Sequence, residues 1–278
     1  MKPTYQEMYE QQRAWATRRG VLFDQDGYTL SLDDNLFLPL SMAARSEFTA
    51  GSGDELGTTQ KRGKMQALHS SSALAYNIFE YWRGRPMISL AVACEAPHTI
   101  STLQFEQTYP TGLRGTGPHL DVTLRGSDTT PFVIEAKFTE PYRAYSAVKA
   151  FQKSYFPIQP GLWVQRGLSS CEALARAIDQ RQISFSRLGV AQLLKHILGL
   201  VKAFGNNFTL LYLWYEQPSL EAQEHRTEIE SFMRYIDGEI DFHTMTYNEL
   251  FNHLLKSADK ENPYLSYLEE RYFATKNR

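Results

Sequence analysis

Small and apolar side chains recur at three- and four-residue spacing from about residue 65 to 83. Leu68, Ser72, Ala75, Phe79 and Trp82 share a stripe, with Gln66, Asn77 and Glu80 off it. That period predicts a helix, ended by Gly84 and Pro86. The period then falls to two. Leu103, Phe105, Gln107 and Tyr109 alternate with Thr102, Gln104, Glu106 and Thr108, residues 119–125 alternate likewise, and 132–138 is apolar apart from Glu135 and Lys137. These are three predicted strands, the last two joined by the turn-rich segment 126–131. Helical spacing returns over 186–204, and 208–214 reads as a buried strand. A helix (221–235), a strand (240–245), a helix (247–256) and a last helical piece after Pro263 follow.

This order predicts an α/β fold with a mixed central sheet flanked by helices. The chain reads as a single domain over 1–278: an irregular extension (1–63), a core (64–215) and a C-terminal helix–strand–helix extension (216–278). Within the first part, 21–23 and 28–30 flank Asp24-Gln25-Asp26-Gly27 as a hairpin, and 51–57 is a loop.

Composition narrows the class. Of 278 residues, 42% are hydrophobic and 22% charged, which excludes wholesale disorder. Lys and Arg (29) nearly balance Asp and Glu (31), so a strongly basic nucleic-acid coat is excluded while a local basic face is not. Cys94 and Cys171 are too few for a disulfide framework or a cysteine-rich zinc site. The most apolar stretch, 188–215, is interrupted by Gln192, Lys195, His196 and Lys202, short of the ~20 apolar residues a membrane span needs. The opening residues hold no apolar run, and a cytoplasmic location with no membrane partner is expected.

The chemistry concentrates at Asp121, Glu135 and Lys137. Glu135 and Lys137 share one strand face, and Ile134, Ala136 and Phe138 share the other. A hairpin closing Leu124 or Arg125 on Phe132 sets Asp121 opposite Glu135 or Ala136. Two carboxylates and one ammonium then converge at mid-sheet, where burial is tolerated only if the charges pair or bind a metal. Paired carboxylates suit Mg²⁺ or Mn²⁺, and the lysine can activate water and offset charge on a phosphodiester. The plainer alternative is a structural ion cluster.

With a helix before the hairpin and a helix–strand unit after it, residues 65–214 resemble the PD-(D/E)xK nuclease superfamily, the restriction-endonuclease-like fold. The resemblance implies that Asp121 and Glu135 bind the metal and that Lys137 assists the nucleophile. Leu120, rather than proline, precedes Asp121, with Pro118 nearby. It further implies Glu106 as an extra metal ligand and Gln192 as a site residue on the following helix. Lys195, one turn on, suits a phosphate contact, whereas Asn77, Glu80 and Glu140 are weaker candidates. The implied activity is that of a Mg²⁺-dependent deoxyribonuclease, cutting as an endonuclease. The alternative is a catalytically inactive relative that binds nucleic acid or a protein. DNA is the expected partner, and a homodimer is compatible with the reading.

Other signals carry less. The segment 57–65 has five residues between its glycines and Met65 where a phosphate loop needs Ser or Thr. None of the seven histidines forms a metalloprotease pattern, though His119 shares a strand face with Asp121. Tyr142, Tyr145, Phe151, Tyr155, Phe156 and Trp163 interleave with Arg143, Lys149, Lys153 and Arg166, a pattern that suits a strand-binding groove or a mixture of core and surface.

Overall fold

The computed structural model describes residues 3–51, 53–58, 60–127, 130–144, 150–157, 161–236, 238–258 and 262–274. Tyr145 and Lys149 lie outside these residues, as do positions 52, 59, 128 and 129 of the loops named above.

The first 63 residues are not irregular. Helix α1 spans Thr4–Arg18 and α2 spans Met42–Ala50. The buried stripe of α1 is Met8, Gln12, Trp15 and Ala16, at helical spacing. Its second member is a glutamine whose amide donates to Arg271 O and accepts from Arg271 Nε. A polar side chain satisfied inside the stripe hides the helix from hydrophobic periodicity. The hairpin at 21–30 is present as a Phe23–Thr29 bridge, turning through Gly27 at φ +84°.

The helix expected over 65–83 is shorter. Ser70 accepts the Ala73 N–H and starts α3 (Ser71–Phe79), while residues 64–66 form a separate 3₁₀ turn. Leu68 packs instead with Trp15 and Ala16 in a small cluster. Next comes α4 (Ile88–Cys94), which hydrophobic spacing does not predict.

Five strands make one sheet: β1 (Thr102–Thr108), β2 (His119–Arg125), β3 (Phe132–Lys137), β4 (Thr209–Trp214) and β5 (Asp241–Thr246). They lie in that order, antiparallel from β1 to β3 and parallel from β3 to β5. This is the mixed α/β sheet the pattern predicts. Helices α5 (Ser169–Asp179) and α6 (Val190–Phe204) link β3 to β4, and α7 (Leu220–Tyr235) links β4 to β5. Then α8 (Tyr247–Ser257) and α9 (Pro263–Leu268) complete the chain. Residues 186–189 do not join α6, because the N–H groups of Ser186, Arg187 and Leu188 are donated to the Glu228 carboxylate of α7.

Strand β3 lies in the middle of the sheet with every residue buried, which accounts for its apolar character on both faces. Phe105, Val122 and Ile134 share one rung and one face, and the Tyr76 ring of α3 lies tilted against Phe105, 5.7 Å between centroids. The opposite face carries Glu135 and its β4 partner Tyr212. There His196 of α6 meets Glu135 at 3.1 Å and His225 of α7 meets the Tyr212 hydroxyl at 3.2 Å. No helix among the described residues is long and apolar enough to cross a membrane.

Helix α6 is held to the sheet by Leu193, Leu194, Ile197, Leu198 and Val201, each buried side chain contributing about 1.5–3 kcal/mol at most. Its seat also needs Gly199, where a Cβ would lie 2.2 Å from Tyr109 O. Gly199→Ala therefore lowers Tm despite alanine's better helix propensity, because overpacking costs about 1–3 kcal/mol against a gain of about 1. Thermal unfolding checks this, and an unchanged or higher Tm would show that α6 can shift freely.

Candidate active site

The site begins with strand register. β1 pairs with β2 at Phe105–Val122 and Gln107–Leu120, and β2 with β3 at Val122–Ile134. Continued by one residue, these registers set Glu106, Asp121 and Glu135 side by side on one rung and one face. Of the two hairpin registers expected, the chain adopts the one with Asp121 opposite Glu135.

The ladder fails at that rung for two local reasons. Asp121 Oδ2 accepts the Ala136 N–H at 2.6 Å, a donor that an unbroken ladder would turn toward the β2 backbone. Glu106 adopts φ +51°, the left-handed region that costs a non-glycine residue about 1–2 kcal/mol. Its neighbour Phe105 donates its N–H to the Glu47 carboxylate of α2, which also binds Arg83 and so covers the sheet edge.

A pocket of about 370 Å³ opens over this rung. Glu106, Asp121, Glu135 and Lys137 line it from the sheet, and Gln192 and Lys195 from α6. The structure thus brings together all five residues named as metal or catalytic candidates, and His119 as well. Asn77 and Glu80 are elsewhere: Asn77 accepts the Phe37 N–H and donates to Asn35 O, and Glu80 pairs with Arg83. Glu140 accepts the Phe138 N–H and closes the turn after β3. The aromatic stretch is largely core, since Tyr142, Phe151 and Trp163 are buried, although Lys195 Nζ lies 5.3 Å from the Phe151 ring centre.

Sequence reasoning missed two residues. His196 is buried, with Nδ1 3.1 Å from Glu135 Oε2. Its signal was a lone histidine among the apolar residues of α6. Glu55 arrives from the segment after α2, buried and bonded by Ser72 at the start of α3. No spacing in the sequence announces it.

The carboxylates are unequal. Burial pushes Glu135 upward, but the charges of Lys137 and His196 outweigh it and hold the group at about 2. Asp121 is raised well above the usual carboxylate range, first by burial and then by the charge of Glu135. Glu106 is pushed up to about 7 by burial, then by Glu55 and Glu135.

Among the described residues no three His, Cys, Asp or Glu side chains form a ready-made metal cage. Mg²⁺ and Mn²⁺ do not require one, because they take one or two carboxylates and complete their shell with water and phosphate oxygens. The donor set fits such a cation. Glu135 Oε1 lies 2.5 Å from Lys137 Nζ yet is buried without an aligned hydrogen bond. Asp121 and Glu106 supply further oxygens whose mutual repulsion a cation would relieve.

Linkage gives a measurable consequence. Between about pH 4.5, the usual value, and about 7, the folded chain keeps a proton on Glu106 that the unfolded chain has released, so stability falls as pH rises through that window. Glu106→Gln fixes the neutral form. Without metal its Tm exceeds wild type near pH ~8, by roughly 2–4 °C per kcal/mol relieved, and the gap closes on acidification. A gap independent of pH would mean that the Glu106 charge carries no such load.

A family model described as Restriction Endonuclease associating with ARP matches residues 7–273, nearly the whole chain. No curated protein and no solved structure matches it.

Proposed function

The chain belongs to this restriction-endonuclease family, and we propose that it is a metal-dependent nuclease that hydrolyses phosphodiester bonds of DNA. The observation that carries the reading is the rung of Glu106, Asp121 and Glu135 with Lys137 on the same face, opening into one pocket. In this reading Asp121 and Glu135 hold Mg²⁺ or Mn²⁺, and Glu106 supplies an extra oxygen. When bound, the cation supplies positive charge that stabilises the crowded phosphate of the transition state and favours ionisation of water.

The residues of the chain do the remaining work. Lys137, two residues after Glu135 on a buried strand, sets its ammonium beside the phosphate, where it orients the attacking water and offsets developing charge. His196 sets Nδ1 3.1 Å from the other oxygen of Glu135, where a protonated ring offsets that carboxylate's charge. Gln192, exposed at the mouth of the pocket, offers amide hydrogens to a phosphate oxygen. The family's description names association with ARP, and we infer that such a component supplies the targeting.

Purified protein incubated with plasmid, linear and single-stranded DNA in Mg²⁺ or Mn²⁺ tests the reading. Asp121→Ala and Glu135→Ala abolish cleavage. Lys137→Ala slows it by about 10²–10⁴, the usual worth of a positioned acid–base group, and Lys137→Met does the same because it keeps the stem without the charge. Wild-type binding without cleavage of any nucleic acid would favour an inactive binding module instead. Cleavage by Lys137→Ala at the wild-type rate would make the lysine structural.

A further inference from the structure

Beyond the pocket, α6 continues with Gly199 and Lys202 on the line begun by Gln192 and Lys195. Gly199 lets the helix touch Tyr109 O, which fastens the root of the β1–β2 connection, residues 109–118, against it. That connection turns through Gly112 at φ +93° and Gly115 at φ +105°, with Arg114 exposed between them. A Cβ at Gly112 would lie 3.2 Å from Lys202 Nζ and 3.3 Å from Arg166 Nη2, so two cations meet over a bare backbone. Arg166 is anchored there by donating from Nη1 to Leu198 O at 3.1 Å.

Among the described residues no carboxylate pairs with Lys195, Arg166 or Lys202. Two cations facing each other without an acid are stabilised by an external anion. Elsewhere the chain pairs its surface charges readily, as in Arg187–Glu224 and Arg226–Glu216.

We propose that Lys195, Arg166, Lys202 and the β1–β2 connection form a track for the sugar–phosphate backbone of one DNA strand, leading away from the catalytic pocket. The proposal rests on the nuclease reading and extends it to where the substrate lies. Seven residues of α6 separate Lys195 from Lys202, about 10 Å at 1.5 Å per residue. One strand of a duplex carries a phosphate every ~3.4 Å of axis, so the track spans about three phosphates. The glycines allow close approach of the backbone, and Arg114 reaches from the connection toward the same strand.

The test is equilibrium binding of a labelled DNA duplex, with Ca²⁺ in place of Mg²⁺, over a range of salt. Replacing both cations in Arg166→Gln/Lys202→Gln lowers the slope of log K against log salt by about 1.4–1.8, at 0.7–0.9 per phosphate contact, and weakens binding. Lys256→Gln on α8, which removes one positive charge as Lys202→Gln does, leaves the slope as it is. Should the double variant fail to fold, exposed Lys202→Gln alone loses about 0.8 of slope. An unchanged slope in the track variants overturns the proposal. The two readings separate cleanly: lost slope with no cleavage by wild type in Mg²⁺ keeps the track and removes the nuclease, and cleavage with an unchanged slope does the reverse.

Discussion

The hydrogen bond from Ala136 N–H to the Asp121 carboxylate organises the site. A backbone donor at the middle of a sheet ordinarily joins the ladder, and leaving it unpaired would cost about 1–3 kcal/mol. Here a side chain takes it. The ladder between β2 and β3 therefore ends at Val122–Ile134 while both strands run on. Beyond that point Asp121 and Glu135 line the pocket together. The same bond aims Asp121 at Glu135, so the repulsion between them is built into the backbone rather than left to rotamers.

The parallel half of the sheet supplies what the hairpin lacks. β3 and β4 pair along their whole length, from Phe132–Thr209 to Lys137–Trp214, while the backbone ladder between β3 and β2 stops at Val122–Ile134. Ligands of such sheets gather near the carboxyl ends of the strands, and Glu135 and Lys137 occupy that end of β3. Helix α6 crosses the same face and delivers Gln192 and, one turn later, Lys195 and His196. Its depth is set by Gly199 against Tyr109. One close contact thereby fixes both the roof of the pocket and the path of the β1–β2 connection.

The strands and the site on them were legible because their signals are local. An apolar run broken only at Glu135 and Lys137 has one reading, and turn residues on either side limit the register to two choices. Helix α1 escaped because Gln12 sits in its buried stripe, satisfied by Arg271 at the other end of the chain. Helix α4 is only seven residues long, too short to show a period, whereas α5 buries Cys171, Leu174 and Ala175 at helical spacing, so its apolar face was present in the sequence though not among the elements predicted. Glu55 is a tertiary product. Its turn closes where Gly57 lies so near Gly63 that a Cβ would fall 2.3 Å from the Gly63 nitrogen, and nothing in the local sequence tells that this turn docks on the sheet.

The charge balance of the pocket ties cation and substrate together. Glu106, Asp121 and Glu135 face one cation on the sheet, Lys137, with Lys195 and His196 of α6 beside them in the lining, so the three carboxylates outnumber the positive charge within their own sheet. Neighbouring carboxylates on a sheet lie about 5 Å apart, and at an effective dielectric of ~20 each like pair costs about 3 kcal/mol. The chain relieves this by keeping a proton on Asp121 or Glu106, both of which are raised. On the proposed reading, a phosphodiester entering that state would meet either residual negative charge or protons that must leave before the carboxylates could bind metal. On that same reading, a divalent cation held by Asp121 and Glu135 would ease both difficulties, taking the place of the protons and offsetting the excess charge. Cation and phosphate would then favour each other's binding, a coupling that is reciprocal by linkage. Lys202 and Arg166 do not line the pocket and so lie outside this balance, and on the proposed track they would hold the neighbouring phosphates whatever the pocket contains.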